Sequence, residues 1–367
     1  MLPHDTKPGR DLRVLMVSTE RGWRGGERML ASLVSELPGG VDAVTTCPPG
    51  SPLAQRLEAA GKAVEPLDAR GPLDLAALRR LRRLAVSGGF DLVHAHTSHA
   101  HALALPALVR TGIPLAVTRH VAFPVKRLSR WKYRAVRRFA AVSAFVRDTL
   151  VRGGVRPARV DVIPNGIKLF PLPEDRDTHR SSLGIAPAEL AVVSAGHFSA
   201  EKNHRLLLEA WAAVAPRHPS ARLRLAGEGP LEGSLRALVR DRDLPRVVFE
   251  GYREDLPALL RAADLYVSSS DSEGQGLSVM EAMAAGLPVA ATRAGGVLDL
   301  VADGETGILV PVGDARALAS ALDALLEDAE RRAALGRAGR ARAERDFGLH
   351  RMASAYRDFY LRALERN

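Results

Sequence analysis

A chain of 367 residues, 46% hydrophobic and 26% charged, is long enough for two domains with separate cores, and its composition excludes a disordered polymer. The formal charge of +10, from 52 Lys and Arg against 42 Asp and Glu, admits nucleic acid, an anionic membrane surface or a phosphorylated small molecule as partner. With aromatic residues at 5% and neither a zinc-finger nor an RNA-binding signature, nucleic acid is set aside.

After a polar tail at 1–11, residues 12–17 read as a short buried strand, 18–26 as a loop, and the stretch to about Leu37 as an amphipathic helix. The tail, with Asp5, Lys7 and Arg10, lacks the apolar core of a secretory signal. Further strands are expected at 41–45, 63–67, 92–95, 115–118, 140–142 and 160–163, with helical stretches between them. Apolar runs such as 102–109 fall short of the roughly 20 residues that span a bilayer. The single cysteine, Cys47, cannot close an internal disulfide, so a reducing cytoplasm is the expected location.

The stretch 168–187 is rich in proline and charge and has no periodicity, so 171–187 reads as a linker. A second alternation follows, with strands at 191–195, 222–226, 247–250, 265–268, 289–291 and 308–310, and the chain finishes in helices at 315–326, 330–345 and 349–364. Short apolar strands alternating with helices predict an α/β protein of two doubly wound, Rossmann-like domains, 12–170 and 188–348, with a ligand cleft between them. The last segment, 349–367, is expected to pack back toward the N-terminal domain. Epimerases and binding proteins share such an architecture, so function has to come from residues.

The segment 272–288 (Ser-Glu-Gly-Gln-Gly-Leu-Ser-Val-Met-Glu-Ala-Met-Ala-Ala-Gly-Leu-Pro) carries the strongest chemical signal. Gly274 and Gly276 let backbone N–H groups approach a ligand, and a helix starting near Leu277 offers its N-terminus to a phosphate. Glu273 precedes that helix and Glu281 lies about one turn inside it, where carboxylates can accept hydrogen bonds from sugar and ribose hydroxyls. The bland alternative is a solvated loop glutamate and a helix-surface glutamate, but Glu281 sits between Met280 and Met283 in a run too apolar for a surface helix.

This segment resembles the E-x7-E motif of glycosyltransferase family 4, and the resemblance extends over nearly the whole chain. The run 223–230 (Leu-Arg-Leu-Ala-Gly-Glu-Gly-Pro) is similar to the family's glycine turn, and 251–255 (Gly-Tyr-Arg-Glu-Asp) to its base-proximal loop. The runs 294–297, 303–307 and 163–167 match further loops, and their order and spacing carry more weight than any one of them.

The resemblance implies a GT-B fold and a retaining, metal-independent, hexosyltransferase-like enzyme. Its co-substrate would be a nucleotide-diphosphate sugar, with no cofactor, and its acceptor a glycan or lipid-linked molecule in bacterial envelope glycan synthesis (lipopolysaccharide, capsule or exopolysaccharide). It assigns catalysis to His120, Lys202 and Glu273. It assigns donor binding to Gly25, Gly26, His197, Lys202, Tyr252, Arg253, Glu273, Gly274, Gln275, Gly276, Leu277 and Glu281. Lys202 matches the lysine that neutralises the leaving diphosphate, a charge that such chemistry requires. His197 stands where many relatives have arginine, so a second cation is missing from the pattern, and Arg119 or Arg293 are candidates to replace it. Around Gly25 and Gly26 the family's Gly-Gly-Ala-Glu turn is one residue short.

Three patterns remain. His94, His96, His99 and His101 tempt a metal reading, but no cysteine or carboxylate joins them, and the family has a similar strand end; no metal is expected. The D-x-D runs at 175–177 and 241–243 lack the sheet context of a metal-dependent transferase. The stretch bounded by Lys126 and Arg138 has seven basic residues and no acidic one, with Leu128, Trp131, Ala135 and Phe139 near helical spacing. It reads either as a helix lying on an anionic membrane at the inner face of the plasma membrane, or as one packing on the sheet. The rival functions are a GT-B-fold epimerase or phosphorylase and a non-catalytic cleft binding protein; the extra first-domain carboxylates of an epimerase are not evident, and both paired glutamates are present.

Overall fold

The computed structural model describes residues 11–71, 74–125, 130–173 and 175–365. The chain divides into two units, one running up to Gly166 and resuming at Leu349, the other spanning Ile167–Gly348.

The first unit holds a parallel sheet of β1 (Leu12–Val17), β2 (Val41–Cys47), β3 (Val64–Pro66), β4 (Leu92–Ala95), β5 (Leu115–Arg119), β6 (Arg138–Ala141) and β7 (Val160–Val162). Their spatial order is β3-β2-β1-β4-β5-β6-β7. Consecutive residues Val14, Leu15, Met16 and Val17 are fully buried, as a strand covered on both faces requires. On one face Leu15, Val17, Val93, Ala95 and Val117 pack with Leu81, Leu103 and Val146 from three helices; burying each such side chain contributes about 1.5–3 kcal/mol. Leu81 belongs to the helix Leu75–Ser87, whose buried residues Ala77, Leu81 and Ala85 recur every four positions behind the Asp74 cap. On the other face lies the final helix, Leu349–Leu364, which buries Met352, Tyr356, Phe359 and Tyr360.

The second unit repeats the design with β8 (Leu190–Ala195), β9 (Ala221–Ala226), β10 (Val247–Gly251), β11 (Leu265–Ser268), β12 (Val289–Thr292) and β13 (Gly307–Val310), in the order β10-β9-β8-β11-β12-β13. All its pairings are parallel. One face packs Val192, Leu223, Leu225 and Val267 against Leu207, Trp211, Leu318 and Leu322. The other packs Val193, Tyr266, Val289 and Ala291 against Leu259, Met280, Met283 and Val297.

Two expectations need correction. The segment 171–187 is not an irregular linker, because it contains the helix Arg176–Ser182, capped by the Asp175 carboxylate. Arg180 on that helix is buried, donating to the carbonyls of Ala262 (2.7 Å), Ala186 (3.2 Å) and Glu189 and to the Asp264 carboxylate (3.0 Å). A helix anchored by a buried guanidinium has no apolar stripe, so periodicity could not reveal it. The stripe read across 126–138 does not form one helix face either. The described helix is Arg130–Arg134, Phe139 lies in β6, and 126–129 fall outside the described residues. Trp131 is 61% exposed, while Tyr133 packs inward, stacked on Phe139 at 5.6 Å and edge-on to His101 at 5.2 Å.

Candidate functional site

In a doubly wound sheet the strand order reverses at one point, where the loops leaving two neighbouring strands diverge and open a crevice at their carboxyl ends. In the second unit that point lies between β8 and β11. The loop after β8 carries His197 and Lys202, and the loop after β11 carries Glu273, Gly274, Gln275 and Gly276. Lys202 Nζ forms an ion pair with Glu273 Oε1, and Ser270 Oγ donates to the same oxygen at 2.8 Å. The carboxylate is largely buried, and a quarter of the lysine side chain is exposed.

Backbone and side chains lace these two loops together. The Asp271 amide donates to the Glu201 carbonyl (2.8 Å), Asn203 Nδ2 to Asp271 Oδ1 (2.9 Å), and Ser269 Oγ to the Lys202 carbonyl (3.1 Å). Asn203 also caps the helix His204–Val214 from a left-handed conformation. Behind the pair, His204 is buried edge-on to Phe198 at 4.8 Å; burial, with Lys202 nearby, pushes its pKa down to about 4.

Glycines set the remaining contour. Gly276, at φ 97°, turns the chain into the helix Leu277–Ala284, whose leading amides have no intrahelical acceptor. The Gly296 amide donates to the Glu273 carbonyl at 3.0 Å, and a Cβ at 296 would lie 2.1 Å from the Gly274 carbonyl oxygen. Glu281 lies half-buried on the same helix, between the buried Met280 and Ala282.

Two expected members stand apart. Tyr252 and Arg253 leave the edge strand β10, two strands from β8; Tyr252 is 51% exposed, and Arg253 is bonded to Glu250 (2.8 Å) and Asp255 (2.7 Å). The arginines suggested to make up for His197 are also committed. Arg119 lies in the first unit, donating to Ser98 Oγ, Tyr133 Oη and the Phe123 carbonyl, and Arg293 pairs with Asp303.

The first unit reverses its strand order between β1 and β4. Gly25 and Gly26 open the helix Gly25–Glu36 after β1, and the Glu27 carboxylate accepts the Arg24 amide at 3.0 Å. Burial raises the Glu27 carboxyl, with the Arg24 bond opposing. His96 follows β4 and His120 follows β5; a Cβ on Gly26 would be 3.9 Å from His120 Cδ2. The His96 and His120 rings stack at 6.1 Å, and the His94 ring lies 4.0 Å from His96. Both nitrogens of His94 are taken, Nδ1 by Tyr360 Oη (3.0 Å) and Nε2 by Thr118 Oγ1 (2.8 Å), which also meets Tyr356 Oη at 3.0 Å. Burial holds the histidines neutral, with His94 pushed down to about 3, His120 to about 4 and His96 well below its usual value.

Reasoning from sequence missed Ser270, Asn203, His204 and the role of His94. Only Ser270 had a visible signal, as the last of the serines preceding the glycine loop.

Comparison with known proteins supplies the family. A model described as "Glycosyl transferases group 1" matches residues 175–342, and one described as "Glycosyltransferase Family 4" matches 23–169. The D-inositol 3-phosphate glycosyltransferase of Pseudarthrobacter chlorophenolicus is 31% identical over 315 residues, covering 79% of this chain and 75% of that protein. The lipopolysaccharide core biosynthesis mannosyltransferase LpsB of Rhizobium meliloti is 32% identical over 249 residues, 64% of this chain and 69% of the other. Among solved structures, Anabaena Alr3699/HepE in complex with UDP-glucose is similar with a TM-score of 0.84 at 23% identity, covering 95% of this chain and 99% of that one.

Proposed function

The chain belongs to glycosyltransferase family 4 and has its GT-B fold, and from that premise we propose that it moves a sugar from a nucleotide-diphosphate donor to an acceptor, with retention at the anomeric carbon and without a metal ion. The observation that carries this reading is the Lys202–Glu273 pair at the reversal point of the second sheet, beside the N-terminus of the helix Leu277–Ala284.

Cleaving the bond between the anomeric carbon and the diphosphate oxygen leaves negative charge on the departing nucleotide. A positioned ammonium and helix-terminal amides stabilise that charge more in the transition state than in the ground state. In this reading Lys202 and the loop amides of Gly274, Gln275, Gly276 and Leu277 receive the diphosphate, Glu273 accepts from hydroxyls of the transferred sugar, and Glu281 from the donor ribose. His197 contributes one hydrogen bond, and Tyr252 and Arg253 serve the base. His120, neutral at physiological pH, bonds a substrate hydroxyl, and the amides of Gly25 and Gly26, which open the helix Gly25–Glu36, receive a phosphate or an acceptor group. No protein group is assigned as nucleophile; the acceptor oxygen attacks on the face from which the diphosphate leaves.

For the acceptor we favour a glycan or lipid-linked molecule of the bacterial envelope, in line with the mannosyltransferase relative. A cytoplasmic enzyme would meet it at the inner face of the membrane, with the basic stretch 126–138 as contact; in its described part Trp131 is exposed among Arg130, Lys132 and Arg134. No helix among the described residues is long and apolar enough to cross a membrane.

The test is turnover of nucleotide-sugar donors by Lys202→Ala and Glu281→Ala. Lys202→Ala, which removes a group stabilising the developing charge, lowers kcat by about 10²–10³, and Glu281→Ala, which removes a contact to the ribose, raises KM. Near-normal turnover in both variants with a donor the wild type uses would remove the assignment.

A further inference from the structure

We propose that His96 is a second substrate-binding imidazole, and that with His120 it holds a hydroxyl group of a carbohydrate substrate where the first sheet reverses its strand order. This rests on the glycosyltransferase reading above.

The argument starts from what the strands do with their histidines. His94 lies in β4 and His96 two residues on, just past the strand's end, and Thr118 and His120 are similarly spaced in and just past β5, the neighbouring strand. The inner pair is saturated, since Tyr360 and Thr118 take both nitrogens of His94 and Tyr356 meets Thr118. The outer pair is not. His96 is 5% exposed, and neither of its ring nitrogens has a hydrogen-bond partner among the described residues; His120 Nε2 is also buried without one.

Leaving a buried polar atom unpaired costs about as much as losing a hydrogen bond. A phenyl ring would fill the same space without that cost, so two open imidazoles side by side at a sheet's ligand-binding end call for a polar occupant. Their charge state says which kind. A neutral imidazole offers one donor and one acceptor, the complement of a hydroxyl, whereas a phosphate needs donors alone and favours a cation. The Tyr360–His94–Thr118–Tyr356 chain acts as a positioning device, because His94, fixed at both nitrogens, lies 4.0 Å from the His96 ring.

The hydroxyl belongs either to the transferred sugar or to the acceptor, and the experiment separates them. Full-length wild type, His96→Phe and His96→Asn are compared by calorimetric titration with UDP and with UDP-glucose (GDP and GDP-mannose if the wild type prefers guanine). They are compared again in hydrolysis of the donor by water and in transfer to D-inositol 3-phosphate. A contact to the transferred sugar predicts roughly tenfold weaker UDP-glucose binding in His96→Phe with UDP binding unchanged, and partial recovery in His96→Asn, whose amide still donates and accepts. A contact to the acceptor predicts unchanged donor binding and hydrolysis but transfer reduced by a similar factor.

Unchanged binding and transfer in His96→Phe, as for a ring that meets only a buried water, would overturn the proposal. Equal losses for UDP and UDP-glucose, as for a distorted fold, would do the same. Should His96→Phe not fold, the same contrasts are read on His96→Asn. A wild type that binds neither nucleotide sugar removes the proposed function itself, whereas a competent wild type with indifferent variants removes only this inference.

Discussion

Acidification from pH 7.5 to 5 should destabilise the first unit more than the second. Four of its histidines, His94, His96, His101 and His120, have folded-state pKa values below the ordinary 6.5, with burial the largest cause in each. The unfolded chain therefore binds more protons than the folded one between about pH 4 and 6.5. Stability is complete above about 6.5 and is lost as the pH falls through that window. For a histidine moved from 6.5 to about 4, as His101 and His120 are, the loss between pH 7.5 and 5 comes to about 2 kcal/mol. His94, at about 3, loses as much, and His96 adds in the same direction. These losses share causes, since His120 lowers His94 and both lower His96, so they do not simply add, but all have the same sign and the first unit should lose more stability than the second. Glu27, raised by burial, works weakly the other way at the acid end.

The second unit has one comparable group, His204, and so should lose only about 2 kcal/mol. Urea titrations at pH 7.5, 6.5, 5.5 and 5 measure the difference. Fluorescence of a Trp23→Phe/Trp131→Phe variant, which keeps only the buried Trp211, reports the second unit; a Trp211→Phe variant reports the first. Replacing His101, whose ring packs against Tyr133 and Phe139, with Phe should reduce the first unit's acid loss by about 2 kcal/mol. A stability that is flat or rising from pH 7.5 to 5 in the first unit would refute the reasoning.

Gly227→Ala should lower the second unit's thermal midpoint sharply, because at φ 147° the new Cβ would lie 2.0 Å from the Gly196 carbonyl oxygen; about 2–4 kcal/mol is expected, and a shift within error would contradict the close approach. Gly296→Ala, with its Cβ 2.1 Å from the Gly274 carbonyl oxygen, should weaken nucleotide binding measured by calorimetry more than it lowers the melting temperature, since it displaces the loop bearing Glu273. Arg180→Leu leaves the carbonyls of Ala262, Ala186 and Glu189 without their buried donor, while Asp264 keeps Arg176 (2.8 Å) and the Ala191 amide (2.8 Å), and should cost about 1–3 kcal/mol or more in denaturant titration; a loss under about 1 kcal/mol would show that the helix Arg176–Ser182 does not depend on that anchor. Replacing Arg130 and Arg137 with Ala should weaken flotation with anionic liposomes by about 1 kcal/mol per residue, less in high salt, and unchanged binding would dismiss the membrane contact.

The strand-helix alternation was legible because it is local. A strand buried on both faces must be a short apolar run such as Val14–Val17, and the loop-helix segment around Gly276 advertises its backbone geometry through glycine. The helix Arg176–Ser182 was not legible, because its anchor is an arginine whose partners lie on 186–189 and 262–264. The inward turn of Tyr133, in place of Trp131, depends on Phe139 and His101, which no helical spacing connects to it.

The site divides the same way. The motifs that carry the resemblance to the family, among them the two glutamates eight positions apart, were legible in the sequence because each is written within a single loop or helix. Only the tertiary structure decided that Lys202 meets Glu273 across 71 residues, and that His94 is saturated by Tyr360, 266 positions away, while His96 beside it is left open. Hydrogen-bond partners of buried groups are chosen by which strands become neighbours, and strand order is a property of the whole sheet rather than of any stretch of chain.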